Sequence, residues 1–178
     1  MAIDVGVLLP QPADPLGEWL ATGAAFDAAG AAALWLDIVP GPDRDPLVLA
    51  AALAATTGRT LLVLAVPPDI SPRTHELTTL GRLSRGRLKL LIDGEGSTTG
   101  GLGVFRRIPG DPPTFHHESG SWVPVAVPDG RESWRASLAA AADSGTRGLV
   151  VPADPRVLDL LRNPDDPGQR RDLELAVG

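Results

Sequence analysis

Four dipeptides, Asp14-Pro15, Asp45-Pro46, Ser71-Pro72 and Asp154-Pro155, each stand a few residues downstream of a short apolar run. A carboxylate or hydroxyl before proline is a helix-start signal. The side-chain oxygen accepts from free amides of the first turn, and proline at the first helical position sacrifices no needed donor. The apolar runs read as strands: Val5–Leu9, Ala33–Ile38, Thr60–Val66, Leu88–Ile92, Trp122–Val127, Arg147–Val151 and Leu173–Val177. Several are apolar at consecutive positions, as in strands buried on both faces of a parallel sheet. Gly30 and Gly58 stand where the first two helices should stop, and a further helix spans Glu132–Ser144 before Gly145. Strand–helix alternation at ~25–31 residues per unit predicts a parallel α/β fold.

The expected strand count is about seven, with five helices. A complete (β/α)8 barrel uses about 250 residues, and this chain has 178. The prediction is a shortened or incomplete TIM-type barrel of mostly parallel strands, forming one domain over residues 1–178. The alternation breaks between Gly94 and Ser121, a glycine-rich stretch holding His116-His117. It reads as an irregular loop at about 97–121 or a short antiparallel excursion. The tail Asn163–Arg171 is polar and reads as a surface loop.

Composition narrows the function. Apolar residues make up 43% and charged residues 21%, a globular balance. The net charge of −6 and the absence of long basic runs argue against a nucleic-acid surface. With no cysteine there is no disulfide, thiolate metal site or cysteine nucleophile. No signal peptide or spanning segment is read, so a cytoplasmic protein is expected. Lys89 is the only lysine among 16 basic residues, a usage typical of a GC-rich bacterial genome.

Residues 45–96 carry an ordered set of motifs. Asp45-Pro46 leads into an alanine-rich helix with Ala54-Ala55-Thr56, followed by Arg59 and a strand. Leu80, Leu83-Ser84 and Gly86-Arg87 then precede a strand that ends in Gly94-Glu95-Gly96. This order and spacing resembles the bacterial luciferase-like family of flavin- and deazaflavin-dependent monooxygenases and reductases. The first 40 residues fit its opening strand and helix, and the likeness is weaker over Pro124–Ala153. From the residues themselves, Ser84-Arg85-Gly86-Arg87 reads as structural. Ser84 closes a helix, Gly86 takes the turn, and Arg87 at the start of strand four is placed to pair with a carboxylate.

The resemblance implies a luciferase-like oxidoreductase that uses FMN or a deazaflavin coenzyme for hydride transfer or monooxygenation of a small organic substrate. The alternative is a non-catalytic family remnant that binds flavin or a partner. The implied catalytic residue is Asp37, where the family has an acidic residue followed by histidine; here Ile38 follows. Asp37 equally reads as a loop cap. The implied cofactor-binding residues are Pro67, Gly94 and Gly96 at strand ends, with Gly130, Arg131 and Ser133 at a helix start for the phosphate. Each also has a plain turn or cap reading, and Glu132 would repel an anion. No metal site is expected. His116 and His117 are adjacent in an extended segment and would point to opposite faces. His75 reads as an exposed helix-start residue. The short Gly94–Ser121 segment suggests missing barrel wall, so a homodimer or a heteromeric partner is expected to cover apolar surface.

Overall fold

The computed structural model describes residues 2–41, 44–67, 73–93 and 101–164. In chain order they form β1 (Asp4–Leu8), α1 (Leu16–Ala28), β2 (Ala33–Leu36), α2 (Pro46–Thr56), β3 (Leu61–Ala65), α3 (Thr74–Leu83), β4 (Leu88–Asp93), β5 (Gly103–Ile108), β6 (Thr114–His117), β7 (Gly120–Pro124), α4 (Arg131–Asp143), β8 (Gly148–Pro152) and α5 (Pro155–Arg162). The strands close into a barrel in sequence order, with β8 parallel to β1. Pairing is parallel throughout except that β6 runs antiparallel to both β5 and β7.

The α/β barrel class is as expected, but the wall is not incomplete. The antiparallel reading of the central stretch is the one realised: β5 and β6 lie inside it and complete the closure. Six of the seven expected strands are present within a few residues, and Leu173–Val177 lies outside the described residues. Two of the four cap signals act as read. Asp45 accepts from the amides of Leu47 (2.8 Å) and Val48 (3.1 Å), and Asp154 accepts from that of Arg156 (2.8 Å). Asp14 does not cap α1, whose N-cap is Pro15. Ser71-Pro72 lies outside the described residues, and α3 begins after Arg73 without a side-chain cap. Gly30 and Gly145 take the left-handed conformation that ends their helices. Gly58 does not; the last turn of α2 is closed instead by Thr57, whose hydroxyl donates to Leu53 O at 2.6 Å.

Alternation along each strand sorts side chains into two cores. Leu34, Leu36, Leu62, Leu64, Leu88 and Leu90 point outward and pack with helix residues such as Phe26, Leu53, Leu77 and Trp134. Ala33, Trp35, Val63, Leu91, Phe105, Phe115, Trp122 and Val150 fill the bore. The bore is aromatic: Trp35 stands 4.9 Å from Phe105, 4.7 Å from Phe115 and 5.8 Å from Trp122, centroid to centroid. Glycines make room for these rings. A Cβ on Gly6 would lie 2.4 Å from Trp35 Nε1, and one on Gly148 2.5 Å from Trp122 Cε3. With its middle solid, the barrel offers a ligand only its ends.

The N-terminal end is tied by polar groups from the motif that resembles the luciferase-like family. Ser84 is fully buried; its hydroxyl donates to Gly81 O (3.0 Å) and accepts from Leu88 N (3.1 Å). Gly86 takes the turn with φ 77°. Among the described residues Arg87 makes no ion pair with a carboxylate. Its guanidinium donates to Ala54 O, Thr57 O, Thr57 Oγ1 and Thr60 O, fastening β4 to the end of α2. Asp27 plays the complementary part, accepting from the amides of Gly58, Arg59 and Thr60. Burial alone would raise its pKa, but these three amides and Arg59 outweigh that and hold it below 3.8.

His117 supplies a pH test of the packing. Its ring points inward and stacks on Phe105 at 4.5 Å. Nδ1 lies 2.8 Å from Ser119 Oγ and accepts from Ser119 N at 3.2 Å, while Nε2 is buried with no hydrogen-bond partner among the described residues. Burial pushes its pKa below 6.5, Glu118 opposes the shift and Lys89 adds to it. The folded state therefore binds this proton more weakly than the unfolded chain does. The stabilisation is full above 6.5 and is lost as pH falls through the folded value. The urea midpoint is expected to fall between pH 7 and pH 5, and His117→Phe is expected to flatten that slope. An equal slope in the variant would assign the effect elsewhere.

Candidate functional site

Four strand ends converge at the C-terminal mouth. Period-two alternation carries the inward row of β4 from Lys89 through Leu91 to Asp93, and that of β5 from Gly103 through Phe105 to Arg107. Asp37 follows β2 at the same level. Arg107 bridges the two carboxylates: Nη2 lies 3.2 Å from Asp37 Oδ2, and Nε lies 3.5 Å from Asp93 Oδ1. Both carboxylates are well exposed, at 59% and 64%, so the pairs contribute little stability. Their effect is to hold the guanidinium across the mouth. Among the described residues the Asp37 carboxylate accepts from no loop amide. Gln11 holds its backbone instead: the amide nitrogen donates to Asp37 O, and the amide oxygen accepts from Val39 N at 2.9 Å.

Beside this triad opens a cleft of about 830 Å³. Val66, Pro67 and Leu91 form its apolar bed, with Ile38, Val39 and Val48 on the walls. Arg44 and Arg73 stand at its rim with Asp45. Arg73 donates to Asp45 at 2.5 Å and lies 3.5 Å from Glu76. Burial alone would raise the Asp45 pKa, but Arg73 and the two cap amides outweigh that and hold it below 3.8. Among the described residues, the Arg44 side chain makes no hydrogen bond or ion pair. A second, smaller pocket of about 130 Å³ runs into the bore and shares Asp37, Leu91 and Arg107 with the cleft.

Of the residues singled out from sequence, Asp37 and Pro67 line this one cleft. Gly94 and Gly96 lie outside the described residues. Gly130, Arg131 and Ser133 sit at the start of α4, after β7, and line neither the cleft nor the smaller pocket. Their polar groups are internally engaged. The Gly130 amide donates to Ser133 Oγ at 3.1 Å, and Ser133 Oγ donates back to Gly130 O at 2.9 Å. Arg131, 14% exposed, donates to Asp159 Oδ2 at 2.7 Å and to Asn163 O, which ties α4 to α5. His75 is exposed on α3, and His116 is exposed on the outer side of β6, opposite to His117. Among the described residues no group of three or more potential ligands could hold a metal ion, and no helix is long and apolar enough to cross a membrane.

Sequence reasoning missed Arg107, Asp93, Arg44 and Arg73. The signal for the first two was present. Gly103-Val104-Phe105-Arg106-Arg107 alternates as a strand, and Asp93 continues the Lys89–Leu91 row.

No family model matches the chain, and no curated protein does. Among solved structures it is similar to EDTA monooxygenase (EmoA) from Chelativorans sp. BNC1, at 15% identity and a TM-score of 0.45, over 55% of this chain and 31% of that one. It is also similar to monooxygenase RslO1 from Streptomyces bottropensis, at 23% identity and a TM-score of 0.42, over 53% and 34%. A third partial likeness is the long-chain alkane monooxygenase LadA, at 16% identity and a TM-score of 0.45, over 56% and 32%. The matched part of this chain spans about a third of the length of each of these neighbours.

Proposed function

We propose that this chain is a flavin- or deazaflavin-dependent oxidoreductase domain of luciferase-like type, with the cofactor ring in the cleft at the C-terminal mouth. The observation that carries the reading is the cleft itself: about 830 Å³, largely apolar, crossed by one guanidinium, and set at the barrel end where such folds do their chemistry. Its residues fit a flat ring. Val66, Pro67 and Leu91 offer a bed, and Arg107 offers donors to an oxygen- and nitrogen-bearing edge. When bound, the ring supplies hydride transfer or oxygenation. Asp37 and Asp93 orient Arg107, and Asp37 is the carboxylate assigned to exchange a proton with a small substrate. Gly94 and Gly96 belong to the same reading as points of close backbone approach.

For the phosphate of FMN, Arg44 is favoured over Gly130, Arg131 and Ser133, because Arg44 is the rim guanidinium without a partner among the described residues. Titrations of FMN and riboflavin, followed by absorbance and fluorescence, test this. Arg44→Ala is expected to weaken FMN about tenfold and leave riboflavin unchanged, as loss of one charge-assisted contact predicts. Arg131→Ala is expected to lower thermal stability without changing the FMN-to-riboflavin ratio. The opposite pattern would return the phosphate to the α4 start.

A second reading, a non-catalytic ligand- or partner-binding domain, is favoured by Ile38. It stands where the resemblance calls for a histidine, and it is buried in the core at 5% exposure. Failure of FMN, riboflavin and a deazaflavin to bind at millimolar concentration would select this reading. Under either reading a second copy or another protein would cover the outer side of β5–β7, where Ile108 is 40% exposed and no helix intervenes in the chain.

A further inference from the structure

The smaller pocket has a chemistry of its own. Leu8 belongs to the inward row of β1, two residues after Gly6, whose missing Cβ faces Trp35. An inward apolar residue should be covered, yet Leu8 is 38% exposed. The space above it is the pocket of about 130 Å³, lined by Leu8, Trp35, Phe115 and Val150, with Asp37 and Arg107 at its rim. Trp35 and Phe115 meet at 42° and 4.7 Å, and both rings line the pocket. A dry apolar cavity of ~150 Å³ is known to take benzene. Here a carboxylate and a guanidinium stand at the edge of a space of nearly that size. We propose that this pocket binds a phenol-sized aromatic group carrying one polar substituent, with the ring beside Leu8, Trp35 and Phe115 and the substituent at Arg107 and Asp37. The site is thereby a selector for compact aromatic compounds; only in calling the occupant a substrate does it rest on the oxidoreductase reading. Because Asp37, Leu91 and Arg107 also line the main cleft, the polar end of such a compound would face whatever the cleft holds.

Fluorine NMR of the whole chain without cofactor, with 4-fluorophenol and fluorobenzene as probes, tests the proposal. Saturable shifts are expected for both, with 4-fluorophenol bound about fivefold more tightly, as one added hydrogen bond gives. Leu8→Trp fills the pocket and is expected to abolish both shifts; Leu8→Phe, a smaller change at the same half-open position, is expected to weaken them if the tryptophan variant does not fold. Absence of a saturable shift at millimolar probe, or equal shifts in the folded Leu8 variants, would overturn the proposal. FMN titrated in parallel separates the two claims. Fluorophenol binding without binding of FMN, riboflavin or a deazaflavin would remove the oxidoreductase reading and leave the pocket standing, and FMN binding without fluorophenol binding would do the reverse.

Discussion

Trp35→Ala is expected to lower folding stability by about 3–5 kcal/mol, the range for emptying a buried large aromatic. Trp35 is 2% exposed and contacts Phe105, Phe115 and Trp122 across the bore. No other large ring can slide into its place, because each of those three is held on its own strand. Domains have only about 5–15 kcal/mol to lose, so the variant should sit near the edge of folding. The converse change has a smaller expected effect. Gly6→Ala places a Cβ 2.4 Å from Trp35 Nε1 and is expected to cost about 1–3 kcal/mol by overpacking. Combining Gly6→Ala with Trp35→Phe should cost less than the sum, since the smaller ring vacates the contested volume. Urea denaturation of the wild type, Trp35→Ala, Gly6→Ala, Trp35→Phe and the double variant reads all of this. A loss below about 1 kcal/mol for Trp35→Ala would mean that the bore is not a packed core.

Arg87→Met is expected to cost about 2–3 kcal/mol, since it strands buried carbonyls at the N-terminal end of the barrel. The guanidinium meets four acceptors, the oxygens of Ala54, Thr57 and Thr60 and the Thr57 hydroxyl. Lysine has the charge but not the planar fork, so Arg87→Lys should recover only a small part of the loss. Because this end lies opposite the cleft, any flavin affinity measured at a temperature where the variant is folded should be unchanged. A variant that keeps its urea midpoint would show that water replaces Arg87 at little cost.

The first half of the fold was legible because its signals are local. Buried runs such as Ala33–Leu36 and caps such as Asp45-Pro46 announce strand and helix from a few adjacent residues. Asp37 and Pro67 could be placed at the mouth because strand ends in a barrel all face one way. What failed was non-local. The strand alternation of Gly103–Arg107 was masked by surrounding glycines, so β5 and the guanidinium that crosses the mouth went unseen. The α4 start reads as an anion site from its amides and its arginine, and the partners of that arginine are equally non-local. Only the fold brings Asp159, 28 residues later, against Arg131. The role of Gly6 and Gly148 is equally non-local, since only the fold lays Trp35 and Trp122 over them.

The direct test of the account is where a flavin ring binds. Val39 lines the cleft and is 68% exposed, so replacing it should disturb ligand rather than fold. Quenching of FMN fluorescence by the wild-type chain and by Val39→Asp, with melting temperatures measured alongside, gives the answer. Saturable quenching by the wild type is expected, with affinity about tenfold weaker in Val39→Asp, the factor for losing one apolar contact of this size, and with no change in melting temperature. No quenching at millimolar FMN, or equal affinity in both proteins, would contradict a ring seated in this cleft.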